Sequence, residues 1–189
     1  MGRGLILAGI VGGIIAFAWG LFSWMVMPWH KLTVEKFKND DIVAQVIKEN
    51  APTNGVYILP NLYHYGNMPM SQKQIEVEDR LVTEGPFVFA AVSLQGRDVH
   101  SFSPFLGSIV IQIIGALFTA WLLLHSRAFK YARRVLFVTV VGMLVGFLSY
   151  MPAWNWWGLP SAYSIIGIVD LVIAWFLAGL AMAKLAYKN

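Results

Sequence analysis

Asp170 is the most conspicuous candidate for chemistry in this chain, because it is an acidic side chain inside a long apolar segment. The segment begins at Tyr163 and reads YSIIGIVDLVIAWFLAGLAMAKLAY. A carboxylate at that depth in a bilayer is costly, so it should face other helices or a water-filled pocket and have a partner. Asp170 is therefore a candidate for a proton relay, an ion site or a ligand anchor. The alternative is a hydrogen bond that holds the helices in register.

Other polar residues are expected at a similar depth. Gln112 lies about eight residues into the second apolar segment and Asp170 about seven into the last, so at ~1.5 Å per residue both lie ~10–12 Å from the same membrane face. A hydrogen bond between the two side chains is therefore predicted as feasible. The other candidates for this buried polar site are Ser108, Ser149 and Tyr150. A transport pathway usually has several ionisable groups, so the single acid favours the interhelical hydrogen bond.

Three histidines suggest a weaker candidate, a metal site. His30 follows the first apolar segment, His64 lies in the polar segment, and His100 precedes the second apolar segment. Imidazoles with nearby carboxylates can bind a metal ion. There is no HxH or HExxH spacing, and scattered histidines are more often surface residues. The chain has no cysteine, which excludes disulfides, thiolate metal sites and thiol catalysis.

Tryptophans flank the apolar segments. A connection that reads PAWNWWGLPSAY has no charge, and its composition is typical of the headgroup level of a membrane. The simplest interpretation is an interfacial belt, and the alternative is the floor of a lipid or quinone cleft between the polar domain and the bundle. The tryptophans in question are Trp29, Trp154, Trp156 and Trp157.

Composition places the chain in the membrane class. Hydrophobic residues make up 58% and charged residues 13%, against roughly 25% charged in soluble domains. The net charge of +4 arises mostly beside apolar segments and therefore predicts orientation, with no nucleic-acid partner. No nucleophile–base pair, phosphate loop or paired-carboxylate motif is present in the sequence, so an enzyme is not favoured and no cofactor is predicted.

Four membrane spans are predicted, at residues 4–28, 104–125, 135–152 and 163–186. The first is longer than the apolar part of a signal peptide, which favours a span over a cleaved leader. A basic loop at residues 126–134 marks the cytoplasmic side and could also bind anionic lipid; its cations are Arg127, Lys130, Arg133 and Arg134. Both termini are then cytoplasmic, and residues 29–103 and the tryptophan-rich loop 153–162 are periplasmic.

The polar segment between the first two spans has its own helix and strand pattern. It predicts a helix from Asp40 to about Asn50, a strand over residues 56–59, a helix opened by the Ser71/Gln74 capping box, and a strand over residues 87–94. The predicted fold is a mainly α membrane protein: a four-helix transmembrane bundle with a small α+β extracytoplasmic insertion. Close helix packing is expected at two GxxxG steps, Gly9/Gly13 and Gly142/Gly146.

Several phrases together resemble a group of uncharacterised inner-membrane proteins of proteobacteria: SWMVMPWH at 23–30, GVYILP at 55–60, GPFVFAAV at 85–92, NWWG at 155–158 and DLVIAWFLAG at 170–179. The likeness runs over most of the chain. It implies a bacterial cytoplasmic-membrane location. It implies no activity, cofactor or catalytic residue.

Three hypotheses of function follow. The favoured one is a structural or accessory membrane protein that acts through helix packing and its periplasmic domain, as a homo-oligomer or with another membrane protein. The second is a protein that binds a lipid or another hydrophobic small molecule in a pocket between the periplasmic domain and the bundle. The third is a metal-dependent membrane enzyme built on the three histidines. Membrane lipids are expected partners in every case.

Overall fold

A computed structural model of the chain describes residues 2–61, 71–125 and 130–187. The described part is mainly helical, and four of its helices are long and apolar enough to cross a membrane. In chain order the elements are α1 (Gly2–Met25), α2 (Asp40–Asn50), β1 (Gly55–Leu59), α3 (Gln72–Glu84), β2 (Val88–Val92), α4 (Ser103–Leu124), α5 (Tyr131–Trp157) and α6 (Ser161–Leu185). The architecture is that of a multi-pass membrane protein with a small insertion between α1 and α4.

The chain divides into two compact units. The helical unit comprises the described residues within Met1–Glu35, His100–Asn155 and Leu159–Asn189, and so contains α1, α4, α6 and nearly all of α5. The insertion unit comprises the described residues of Lys36–Val99 together with Trp156–Gly158. We call the end of the helical unit from which the insertion leaves the insertion end. The other end, which carries Arg133, Arg134 and Lys184, is the basic end.

Helix α1 lies directly against α4 through two glycines. A methyl group built on Gly13 would stand 2.5 Å from the Cα atom of Ile113, and one built on Gly9 would overlap the side chain of Leu117. Contacts this short leave no room for any side chain, so the two backbones approach as closely as small-residue faces allow. The Gly9/Gly13 step is therefore occupied by α4 of the same chain.

Helices α5 and α6 use glycines in the same way. A methyl group on Gly142 would overlap Trp175, and one on Gly146 would lie 3.2 Å from the Cα atom of Ile168. The second GxxxG step is thus also covered within the chain. The buried interior of the helical unit is built mostly from small residues, and its larger apolar members that are fully buried are Leu123, Val138 and Met182.

The insertion unit has the predicted order of elements. Ser71 Oγ accepts a hydrogen bond from the Gln74 backbone N–H, and Gln74 Oε1 accepts one from the Ser71 backbone N–H, which is the expected capping box. Strands β1 and β2 pair antiparallel, with Gly55 opposite Val92. Helix α3 ends at Gly85, whose φ of 69° suits glycine. Neither α2 nor α3 contains a buried residue, and Ala51 is the one buried residue in the described part of the insertion.

The third long helix extends further than the sequence predicted. A span over residues 135–152 was expected, followed by a loop, whereas α5 begins at Tyr131 and continues to Trp157. Pro152 lies inside this helix, since neighbouring groups in a membrane bundle can compensate for the missing N–H. The three tryptophans assigned to the loop are helical, and the connection shortens to a turn at Gly158, whose φ is 68°.

Candidate functional site

Asp170 is bound by two side chains of the first helix and the turn that follows it. The indole Nε1 of Trp19 donates a hydrogen bond to Asp170 Oδ1 at 2.7 Å. The Nε2 atom of His30 lies 3.5 Å from Asp170 Oδ2. The carboxylate is 14% exposed and the imidazole 5%. Asp170 therefore joins α6 to α1, and its partners differ from the predicted Gln112.

The contacts continue from His30 into a buried hydroxyl. Ser23 Oγ lies 3.0 Å from His30 Nε2, and Trp29 Nε1 donates to Ser23 Oγ at 2.9 Å. The ring of Trp24 stacks on the imidazole with a centroid distance of 4.0 Å. Ser23 is fully buried. We refer to Asp170, Trp19, His30, Ser23 and Trp29 as the Asp170 network.

Local structure explains how α1 presents these groups. Trp19 and Ser23 are four residues apart, so they lie on the same face of the helix one turn from each other. After α1 ends, Leu32 N donates to Pro28 O and Thr33 N donates to His30 O, which closes a turn. Because of this turn, Trp29 and His30 lie beside the end of α1. Trp19 and His30 thereby contact one residue of α6 directly, and Ser23 and Trp29 extend the network behind His30.

The residue types of serine, histidine and aspartate invite comparison with a catalytic triad, but the geometry differs. In a triad the carboxylate and the hydroxyl bind opposite nitrogens of the imidazole. Here both Ser23 Oγ and Asp170 Oδ2 lie nearest Nε2. The indole N–H groups are donors only, so Trp19 and Trp29 require acceptors from Asp170 and Ser23. This network is suited to holding a carboxylate in an apolar bundle.

Gln112, Ser149 and Tyr150 meet in a groove of about 520 Å³ on the helical unit. We call it the α4–α5 groove, because its walls are α4 and α5 and its floor is α6. Most of the lining is apolar or aromatic. The other lining residues are Ile111, Gly115, Phe118, Thr119, Leu122, Val141, Val145, Leu171 and Trp175.

The polar residues of the α4–α5 groove differ in how their hydrogen-bonding groups are used. Thr119 Oγ1 donates to the carbonyl of Gly115 at 2.9 Å. In the described part of the chain, the side chains of Gln112, Ser149 and Tyr150 make no hydrogen bond to protein. One end of the groove therefore has three side-chain donors that no described residue accepts from, and the rest of the groove is mostly apolar.

Ser108 lies in a smaller groove of about 300 Å³ beside α1, which also contacts Gln112. The structure therefore brings the four predicted polar residues other than Asp170 into two adjoining grooves. The side wall formed by α1 includes Phe17 and Trp24. Asp170 itself is engaged on α1 and lines neither groove.

The remaining candidates are dispersed. Trp154 Nε1 donates to Ser161 Oγ at 2.9 Å, Trp157 stacks on Phe89, and Trp156 is 72% exposed. His64 lies outside the described residues. Among the residues that are described, no group of three histidine or acidic side chains is arranged to hold a metal ion. The trio of His30, His64 and His100 stays a prediction.

Sequence reasoning missed Trp19 as a partner of Asp170 and Ser23 as a partner of His30. A signal was present for Trp19, because its distance from the end of the first span is similar to the depth of Asp170. Ser23 follows four residues later, on the same face of a helix. Depth alone favours Gln112 equally, and depth does not determine which helices are neighbours.

Fold and site together define a mainly helical, multi-pass membrane protein whose single intramembrane acid is satisfied by its own first helix. Comparison of the chain with protein-family models, with curated proteins and with solved structures gave no match. The resemblance to proteobacterial inner-membrane proteins therefore stays a prediction.

Proposed function

We propose that this protein resides in a bacterial inner membrane and binds a lipid-soluble small molecule in the α4–α5 groove. The observation that carries the proposal is the convergence of Gln112, Ser149 and Tyr150, three polar side chains that make no hydrogen bond to any described residue, on one mostly apolar groove. In hydrocarbon an unused donor is costly, because no water is present to accept its hydrogen bond. A ligand that brings acceptor oxygens to this end of the groove would remove that cost.

The lining indicates the chemistry of the ligand. The amide of Gln112 and the hydroxyls of Ser149 and Tyr150 can all donate to a carbonyl oxygen. From Gln112 to Leu122 the groove follows α4 for nearly three turns, ~15 Å, and its walls there are mainly apolar. The volume lies within the usual range for small-molecule sites. We therefore expect a carbonyl-bearing head on an apolar tail, as in the prenylquinones.

The proposed orientation places the polar end of this groove nearer the periplasm. Arg133, Arg134 and Lys184 lie at the basic end, and cationic residues beside spans mark the cytoplasmic side. The insertion unit would then be periplasmic and both termini cytoplasmic. A fluorescent protein fused after residue 189 should be bright, and alkaline phosphatase inserted after Lys38 should be active.

The binding proposal predicts that decylubiquinone, used as the probe, is retained by the purified protein. Native mass spectrometry from detergent should detect a 1:1 adduct. Removing the three donors in the variant Gln112→Leu/Ser149→Ala/Tyr150→Phe should weaken retention by about tenfold or more, since each lost hydrogen bond contributes ~0.5–1.5 kcal/mol.

The matched control is Thr139→Val. Thr139 is on α5 and its hydroxyl donates to Val135 O, so this variant also loses a hydroxyl but none that faces the groove. It should retain the probe as the unmodified chain does. Equal retention by the triple variant and the unmodified chain would refute the proposal, as would the absence of any adduct at saturating decylubiquinone.

A structural or accessory role is the second candidate. It is favoured by the insertion unit, whose α2 and α3 expose apolar residues such as Ile42, Val46 and Leu81. The GxxxG steps no longer support it, because they are covered within the chain. Native mass in nanodiscs separates the two candidates: a defined multimer of this chain supports assembly, and a monomer with a probe adduct supports the ligand.

A further inference from the structure

We infer that the basic end of the helical unit contains a preorganised binding site for the phosphodiester group of an anionic phospholipid. The site is formed by Tyr131, Arg134, Lys184 and Tyr187, which we call the Arg134 corner. It lies at the opposite end from the polar residues of the α4–α5 groove and does not depend on what that groove binds.

Arg134 is held in place by aromatic packing. Its guanidinium Cζ lies 3.5 Å from the centroid of the Tyr187 ring. The Tyr187 hydroxyl donates to the carbonyl of Leu123 at 2.6 Å, which ties the end of α6 to the end of α4. A guanidinium stacked on an aromatic face keeps its planar edge available for a bidentate anion. The cation is therefore oriented before any ligand arrives.

Most of the hydrogen-bonding capacity of Arg134 is unused. A guanidinium has five N–H donors. In the described part of the chain, its one hydrogen bond is a long contact of 3.5 Å from Nη1 to the carbonyl of Ala183, and Nε is buried without a partner. A cation held in this way requires an acceptor. The remaining Nη donors are the groups that a phosphate oxygen would reach.

A second cation lies at the same corner. Lys184 Nζ is 5.5 Å from the centroid of the Tyr131 ring, and the Tyr131 hydroxyl donates to Leu180 O at 3.0 Å. Tyr131 is one helical turn before Arg134. Lys184 follows Ala183, the residue that Arg134 contacts. Two cations and two tyrosine rings therefore surround one corner between α5 and α6.

No acidic side chain of the helical unit is available to this corner. Across the sequence ranges that form the unit, the acidic residues are Glu35 and Asp170. Glu35 follows the insertion end of α1. Asp170 is engaged by Trp19 and lies 14 residues from Lys184 along α6, ~21 Å. The positive charge of the corner is therefore not balanced by an acidic side chain of this unit.

The start of α5 adds to this unbalanced positive charge. Arg133 and Arg134 lie in its first turn, where the positive end of the helix dipole disfavours cations, and that turn contains no acidic residue. A bound phosphate would interact favourably with the free backbone N–H groups of this turn and with Arg134. Since α4, α5 and α6 have the length and composition of membrane spans, the anion that we expect next to this corner is a lipid headgroup.

The test is binding of phosphatidylglycerol by the full chain, with phosphatidylcholine of the same acyl chains as reference, by native mass spectrometry. The unmodified chain should retain phosphatidylglycerol preferentially. Lys184→Gln should lower that retention by about fivefold, since a cation near an anionic membrane surface contributes about that factor. Arg134→Lys should lower it by a similar factor, because the bidentate contact of the guanidinium is lost. Arg134→Lys keeps the positive charge but loses the planar guanidinium edge that can bind an anion through two hydrogen bonds, so this variant tests the geometry of the site.

The control is Arg133→Gln, which removes one charge from the same helical turn at an exposed position outside the corner. It should change retention by less than about twofold. A drop equal to that of Lys184→Gln would overturn the inference in favour of unspecific surface charge. Inorganic phosphate and a soluble glycerophosphodiester are then compared as competitors of the lipid. If both displace it at equal concentrations, the site binds a free anion and the inference is overturned.

Discussion

Replacing Asp170 with leucine is expected to lower the free energy of unfolding in detergent or bicelles by about 2–4 kcal/mol. The substitution leaves the indole N–H of Trp19 without its acceptor and removes the carboxylate that faces His30. An orphaned buried donor costs ~1–3 kcal/mol. Asp170→Asn should cost less, because one oxygen can still accept from Trp19.

A double-mutant cycle separates a structural contact from a general loss of packing. Trp19→Phe removes the donor together with part of the indole ring, and Trp19→Phe/Asp170→Leu removes both partners. The cost of the double variant should fall short of the sum by ~1 kcal/mol, since the pair interacts directly. Trp121→Phe is the control, because that indole is exposed and makes no hydrogen bond in the described structure. Additive costs would contradict a direct Trp19–Asp170 coupling.

The cycle also bears on what Asp170 does. If the Asp170 network only stabilises the bundle, decylubiquinone retention by folded Asp170→Asn should match that of the unmodified chain. A loss of retention without a loss of stability would extend the ligand site from the α4–α5 groove towards α1. Stability and probe retention together therefore distinguish a carboxylate that only holds the helices in register from one that anchors a ligand.

The elements of this fold follow from local patterns in the sequence. The insertion was predictable in detail, because the Ser71/Gln74 capping box and the stop at Gly85 act on their immediate neighbours. The four long helices were predictable from apolar length. The extension of α5 through Pro152 was not, since a proline and three tryptophans are as compatible with an interfacial loop as with a helix end.

The site was predictable only in part, for a physical reason. The cost of a carboxylate in hydrocarbon identifies Asp170 as a residue that needs a partner, whatever the fold. Which partner it has depends on which helices adjoin, and apolar segments of similar composition do not encode that locally. The neighbours of α6 are fixed by shape, for example by Trp175 against Gly142. The depth of Trp19 makes it a possible partner, but it can be preferred to Gln112 only once α1 and α6 are known to be adjacent.

Replacing Gly13 with alanine is expected to destabilise the helical unit by about 1–3 kcal/mol, the usual cost of overpacking. The added methyl group would stand 2.5 Å from the Cα atom of Ile113 and 2.6 Å from its nitrogen. Backbone atoms cannot rotate away as a flexible side chain can, so α1 and α4 would have to separate. Unfolding of the variant in detergent, compared with that of the unmodified chain, gives the difference directly.

Gly20→Ala provides the matched control in the same helix. Apart from its chain neighbours and the backbone of α1 itself, no described heavy atom lies within 4 Å of a methyl group built there. Alanine favours a helix over glycine by up to ~1 kcal/mol, so this variant should be neutral or slightly more stable. Equal destabilisation by both variants would mean that α1 tolerates no substitution for reasons other than contact with α4. A neutral Gly13→Ala would show that the two helices do not approach as described.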